Sequence, residues 1–446
     1  MTDTTIPQTN WRTIWALAIP SGSVFLFFTI VNIINIKIVA PLGGDAVAAL
    51  TTGQRLYFIF AAVISGISTA TLALVARQWG ANDSAAAARL LTTASLFAGF
   101  LGFVSTLIVW PATPYVVGIF NLTVGATEQS ITYMRNFSFF YFPIAAYMVL
   151  AAGLRAVGDA KTPMYYALLM AVLTIVMCTI LTHGAGPIPA LGVGGNAWGS
   201  GIANLCVLLV AFGSWFSGRL VLPFSLQADK LKKDLGDICR IGLPTILEQA
   251  IMQIGFIGFL WVIANYGTAA YAAYGTGVTL LSVSMVIGLG VSMAGSILVG
   301  QHLGAKDIAG ARKAGWMAAK QSVIVMTVLG AVAAYFAQEL SEWLVGEGEV
   351  ADKTALFLYV LCAAQPFLAL DFALGGALRG AGDTRFPLIA AICGLVFFRF
   401  GLAMILLHFE ADLVWVYATL IADYIMKNIL YIIRFNSDRW EKKIAN

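Results

Sequence analysis

The chain has 446 residues, of which 60% are hydrophobic and only 11% charged, against about 45–50% apolar and about 25% charged in a soluble domain. With a mean hydropathy of +0.85, that composition excludes a soluble globular protein and describes a polytopic one dissolved in lipid. The net charge of +4 comes without a basic run interleaved with aromatics, so nucleic acid is not an expected partner.

The tail at residues 1–10 holds no Lys or Arg, and the apolar stretch behind it exceeds a signal-peptide core, so the first span is expected to be retained. Polar breaks then leave room for twelve spans, at 14–39, 47–76, 91–112, 131–153, 163–183, 192–216, 240–265, 269–299, 317–337, 355–377, 387–408 and 413–433. The fold class is all-α and membrane-spanning. With a cytoplasmic N-terminus, every Lys and Arg except Lys37, Arg55, Arg135, Lys353 and Arg399 falls on the cytoplasmic side. The positive-inside rule therefore puts both termini in the cytoplasm. The opposite face receives the acidic cluster Glu339, Glu342, Glu347, Glu349 and Asp352.

One internal match organises the chain. Leu-Arg-Ala-Val-Gly-Asp-Ala-Lys-Thr-Pro at 154–163 lies over Leu-Arg-Gly-Ala-Gly-Asp-Thr-Arg-Phe-Pro at 378–387, an offset of 224 residues. At that offset Pro20 falls on Pro244, and Gly80, Ala81 and Asp83 fall on Gly304, Ala305 and Asp307. The chain thus reads as two homologous halves of six spans. An even number per half gives both the same orientation, related by a pseudo-two-fold along the membrane normal. The expected lobes are 1–216 and 239–446, joined by a cytoplasmic linker at 217–238 that carries Lys230, Lys232 and Lys233. In the paired loops Gly supplies the turn and Pro opens the next helix. Arg155, Asp159, Arg379 and Asp383 are read as a helix-loop-helix clasp rather than as transport chemistry.

An ionisable side chain at mid-bilayer costs roughly 2.5 kcal/mol or more, so each one inside a span is a candidate functional residue. They are Lys37, Glu248, Asp371, Arg399 and Asp423. Lys37 is placed to snorkel to the outer interface. Asp423 has Lys427 one turn on, whereas the sequence offers Arg399 no partner. Pro20, one turn into the first span, removes a backbone hydrogen bond and is a hinge candidate. The five cysteines, without a C-x-x-C, read as packing residues, and His183, His302 and His408 lack metal-binding spacing. No phosphate-binding G-x-x-x-x-G-K-[ST] and no catalytic cluster of carboxylates or histidines occurs, which disfavours an ATP-driven pump and an intramembrane enzyme.

The doubled Leu-Arg-x-x-Gly-Asp, Gly-Gln-x-Leu-Gly-Ala at 300–305 and Leu-Gly-Gly-Asp-Ala-Val-Ala-Ala at 42–49 resemble the multidrug and toxic compound extrusion (MATE) family over essentially the whole chain. The branch suggested is the DNA-damage-inducible type. The resemblance implies two six-helix lobes around a V-shaped cleft in the bacterial cytoplasmic (inner) membrane. It also implies a monomer that exports amphipathic drugs and organic cations by alternating access. The energy source would be a proton or sodium gradient, with no other cofactor. The alternative is a flippase for a lipid-linked precursor from the same superfamily, which usually has a more cationic cavity.

The resemblance also suggests site residues. One branch binds a cation with acids in spans 7 and 10, and Glu248 and Asp371 lie about one turn from those positions. A shifted coupling pair and mere partners of neighbouring polar groups both remain open. The family's usual Asp in span 1 falls on Asn35. Either coupling has moved to Glu248 and Asp371, or this chain is an Asp→Asn variant held in a protonated-like state; the isosteric replacement favours the second. Another branch's N-lobe site falls on Thr174, Cys178 and Ser200, with Asn32, Tyr141 and Asn204 able to complete a hydrogen-bond network. Ordinary interhelical contacts explain these residues as well. The missing second carboxylate favours a proton over sodium, since hard cations need oxygen-rich shells. An Asp at 35 would, on protonation, be expected to bend span 1 at Pro20. Phe25, Phe28, Tyr57, Phe137, Phe139, Tyr141 and Tyr147 could form walls for flat cations, though most are expected to face lipid or core.

Overall fold

The computed structural model describes residues 9–441, so 1–8 and 442–446, the outer ends of the two expected lobes, lie outside the described residues. The side chains of Leu281 and Val283 are likewise outside them. Helices follow one another in the order α1 (Trp11–Val39), α2 (Gly44–Gly80), α3 (Ser84–Gly118), α4 (Val124–Ser138), α5 (Tyr141–Ala156), α6 (Lys161–His183), α7 (Gly192–Phe216), α8 (Leu231–Ala264), α9 (Thr268–Gly304), α10 (Ile308–Tyr335), α11 (Ala337–Val345), α12 (Glu349–Gly380), α13 (Arg385–Ala391), a π-helical stretch (Ile392–Gly401), α14 (Leu402–His408) and α15 (Leu413–Asn436). Among the described residues 11 helices are long and apolar enough to cross a membrane, or 12 when the bent pair α4 and α5 is one span.

That bend corrects one expectation. The continuous span at 131–153 is broken after Ser138, and α4 and α5 meet at 54°. Pro143 is the reason: it lies in the first turn of α5 and has no N–H for the carbonyl four residues back, at Phe139, so the ladder restarts there. Two further differences are of extent. The linker is helical from Leu231 onward, and the acidic Glu339 and Glu342 ride on the short α11, which apolar periodicity had not separated from its neighbour.

The repeat is written into the backbone. Positive φ occurs at Gly43 and Gly267, at Asn82 and Lys306, and at Gly158 and Gly382, each pair 224 residues apart. Asp83 and Asp307 both cap the next helix, accepting from Ala86 N–H and Gly310 N–H at 2.8 Å. An Asp at an N-cap satisfies an otherwise orphaned amide.

The chain divides into two compact units. The N-terminal unit is 23–79 with 83–240; the C-terminal unit is 241–446 together with 1–22 and 80–82. The division cuts α1 after Gly22, two residues past Pro20. Within the C-terminal unit the first half of α1 lies close against α9, since a Cβ on Gly290 would stand 2.5 Å from the Ala18 carbonyl. Small residues permit such approaches, where dispersion rather than the hydrophobic effect holds helices together. In the N-terminal unit Gly195 and Gly199, one turn apart on α7, press on Leu181 and Cys178 of α6 in the same way. In the C-terminal unit a buried cluster gathers around Phe259, Tyr274, Phe357 and Tyr417.

Candidate functional site

Two polar centres stand out, one in each unit. In the N-terminal unit a cavity of about 120 Å³ opens between helices that present one face each. From α1 come Val24, Phe27, Phe28, Val31, Asn32 and Asn35, a run with the three-and-four spacing of a single helical face. Gly53, Gln54 and Tyr57 of α2, Tyr133 and Phe137 of α4, and Ala167, Met170, Ala171 and Thr174 of α6 complete most of the wall, with Ser200 and Asn204 of α7. No lining residue is charged.

The sequence-derived residues divide around this cavity. Asn32, Asn35, Thr174, Ser200 and Asn204 line it. Cys178 and Tyr141 stand one layer behind. The Cys178 Sγ lies 3.2 Å from Ser200 Oγ and donates to the Asn196 carbonyl at 3.3 Å. Tyr141 stacks on Phe60 with centroids 4.1 Å apart and meets Phe137 edge-on. Asn35 is buried, and its Oδ1 accepts from Asn196 Nδ2 at 3.4 Å. Asn204 Nδ2 donates to the Ser200 carbonyl at 2.8 Å. Of the aromatic set, Phe28, Tyr57 and Phe137 face the cavity, Tyr147 is buried with its hydroxyl on the Pro163 carbonyl, and Phe139 is exposed. Asn196, Gln54 and Tyr133 were missed. Gln54 was detectable as an uncharged polar group inside an apolar span, and Asn196 as the polar residue one position past the glycine that seats α7 on α6.

The C-terminal unit holds charges instead. Glu248 on α8, 3% exposed, accepts from Arg379 on α12 at 2.8 Å through Oε1, while its buried Oε2 makes no hydrogen bond among the described residues. Asp371, two turns before Arg379 on α12, pairs with Lys427 of α15 at 3.1 Å. Lys427 lies 3.5 Å from Asp423, and Arg399 forms the closer ion pair with Asp423 at 2.6 Å. Asp423 is therefore not just the i,i+4 partner of Lys427, and Arg399 does have a partner. The π-helical turn carries Arg399 toward α15, and Gly394 in the same stretch leaves room, since a Cβ there would lie 2.1 Å from Asp423 Oδ1. π turns recur where a helix must re-aim a functional side chain. Arg399 and Lys427 also lie over the ring of Tyr424, at 5.1 and 4.7 Å from its centroid.

The remaining loop residues separate. Asp159 accepts from Thr162 N–H at 3.0 Å, Asp383 pairs with Arg434 at 2.7 Å, and Arg379 reaches Glu248. Arg155 is buried and its Nε has no hydrogen bond among the described residues. Lys37 is exposed. Among the described residues no three His, Cys, Asp or Glu side chains converge as metal ligands.

Comparison with known proteins agrees with this layout. The MatE family profile matches residues 20–180 and 244–405, one stretch in each repeat. A protein of Thermotoga maritima described as probable multidrug resistance protein NorM is 25% identical over 411 residues, covering 89% of this chain and 86% of its own. A protein of Shewanella oneidensis described as an FAD transporter is 24% identical, covering 87% of this chain and 88% of its own. Among solved structures, a crystal structure of a MATE in the bent conformation superposes with a TM-score of 0.88 at 22% identity, over 98% of this chain and 97% of the other. That likeness establishes the fold.

Proposed function

Because the chain belongs to the MatE family, whose members are membrane transporters and not enzymes, we propose that it exports amphipathic organic compounds across the bacterial cytoplasmic membrane by alternating access, in exchange for inward protons. The multidrug resistance description of the Thermotoga relative supports the export of drugs. It works as a monomer with both termini in the cytoplasm, and α1 flexes near Pro20.

One observation supports the proton: Glu248 is buried, bound to Arg379 through one oxygen and without a hydrogen bond at the other among the described residues. A proton arriving at that free oxygen weakens the hold on Arg379. A sodium ion would need several oxygen ligands, whereas Glu248 and Asp371 already carry Arg379 and Lys427 as counter-charges. The driving force suffices. One pH unit supplies about 1.4 kcal/mol and 100 mV about 2.3 kcal/mol per charge, so one proton per molecule sustains a concentration ratio on the order of several hundred.

The test is flux in proteoliposomes energised by a pH gradient alone or a sodium gradient alone, with wild type beside Glu248→Gln. Proton-driven flux is expected in wild type and should fall at least tenfold in the variant. Flux driven by sodium alone would overturn the coupling ion, and flux driven by neither gradient would overturn secondary transport.

A further inference from the structure

Resting on the transport reading above, we infer that the cavity of the N-terminal unit takes its ligand uncharged. The ligand class is a neutral planar heteroaromatic ring with a hydrogen-bond donor and acceptor side by side on its edge, not an organic cation.

The first ground is charge. Every acidic residue of this unit sits at a helix end or in a loop: Asp45 opens α2 and accepts from Thr123, Asp83 caps α3, Glu128 is in the second turn of α4, and Asp159 caps the start of α6. Asp229 lies in the linker, and Asp234 and Asp237 are in the first two turns of α8, where Asp234 pairs with Arg89. None of them lines the cavity. A cation entering this site leaves its hydration without meeting a counter-charge, and the aromatic faces recover only part of that loss.

The second ground is the chemistry of what does line it. Asn32, Asn35, Gln54 and Asn204 are primary amides, each pairing N–H donors with a carbonyl acceptor, and although Asn35 Oδ1 accepts from Asn196 and one Asn204 N–H is spent on the Ser200 carbonyl, each of those two keeps a donor and an acceptor lone pair. That pairing matches a heteroaromatic edge bidentately, as Asn and Gln match the donor and acceptor edge of adenine. Tyr57 and Phe137, edge-on to one another at 5.5 Å, supply rings against which a flat ligand can lie. Size is compatible with this class. The cavity of about 120 Å³ is of the same order as the ~150 Å³ that accommodates a benzene ring, and its open side leaves room for substituents on that ring.

The test uses the full chain in nanodiscs of phosphatidylethanolamine and phosphatidylglycerol, with equilibrium binding of three probes. Nicotinamide is the neutral ring, 1-methylnicotinamide is its permanently cationic form, and 6-methylnicotinamide is the neutral control for the added methyl. Both neutral probes should bind at least tenfold more tightly than the cation. Asn35→Asp at neutral pH should narrow or reverse that ratio, and Ala171→Phe, which fills the cavity, should abolish binding of the neutral ring. A cation that binds as well as the neutral control overturns the assignment, as does neutral binding that survives Ala171→Phe, or no binding of any probe. If no probe binds while proton-driven flux of other compounds persists, the ligand class fails and the transport reading stands. Selective binding of the neutral ring without any gradient-driven flux gives the reverse.

Discussion

The two units are built from one repeated sequence and carry opposite interiors. At the shared offset of 224, Asn35 and Tyr133 of the cavity correspond to Phe259 and Phe357, both almost completely buried in the aromatic cluster of the C-terminal unit. Conversely, Val24 and Tyr147 correspond to Glu248 and Asp371. One half holds an uncharged cavity lined by amides; the other fills the matching space with aromatic rings and carries buried ion pairs. The loops that set the backbone are held in common, so an interior can diverge without disturbing the turns around it. Where the halves differ is therefore where the two functions, holding a ligand and responding to an ion, should be separated.

The sharpest way to break this comparison uses the paired arginines. Arg379 is bound to Glu248, while its repeat counterpart Arg155 has no carboxylate partner among the described residues, because the position matching Glu248 is Val24. Removing one member of a buried pair strands the other charge, at about 3–5 kcal/mol. Arg379→Met should therefore cost that much, read as thermal unfolding in detergent, and Arg379→Met with Glu248→Gln should recover most of it. Arg155→Met should leave stability nearly unchanged. Equal losses from the two single variants would show that Arg155 has a counter-charge after all.

A smaller effect probes how the charged interior is packed. Gly394 in the π-helical stretch faces Asp423 and Lys427 so closely that an added methyl meets Asp423 Oδ1 at 2.1 Å. Overpacking of this kind costs about 1–3 kcal/mol. Gly394→Ala should lower the melting temperature accordingly and reduce proton-driven flux more than Glu339→Gln on α11 does. Unchanged stability would mean that the Arg399–Asp423 pair shifts freely.

These contrasts also show what the sequence made legible. The repeat, the spans and the turns were readable because each depends on local chain properties: apolar run length, a glycine at positive φ, an Asp at a cap. Asn35, Thr174 and Ser200 were found through resemblance, and the structure brings them to one cavity. The break in the fourth span was signalled by Pro143, but periodicity alone gave it no weight. Arg399 was harder. Counting residues at 3.6 per turn misplaces a side chain beyond a π turn, so its partner Asp423 was hidden until the backbone was known. Gln54 carried a local signal, a polar amide inside an apolar span, whereas Tyr133 was missed because nothing local distinguishes a cavity-facing aromatic from a packed one; that depends on which helix faces meet.

The smallest expected effect compares the two halves where they are most alike. Asn82 and Lys306 occupy the same loop position with φ of 59° and 61°. Asn tolerates the left-handed region because its short side chain bonds locally, whereas other residues with a Cβ lose roughly 1–2 kcal/mol there. Lys306→Asn should therefore stabilise the protein by about 1 kcal/mol, and Asn82→Lys should destabilise it by a similar amount. The flanking cap adds a pH signature. The Asp307 carboxyl is held below its ordinary range, first by the Gly310 N–H and then by the His302 side chain at 2.9 Å. A depressed carboxylate contributes stability that is fully present above its unfolded pKa and is lost as pH falls through the folded value. The gain from Lys306→Asn, being conformational, should thus be constant from neutral pH down through the ordinary carboxylate range and should not change as the cap itself protonates. Melting curves of the two single variants and of Asp307→Asn across that range check it, and a Lys306→Asn gain that follows the titration of Asp307 would assign the effect to charge rather than to backbone conformation.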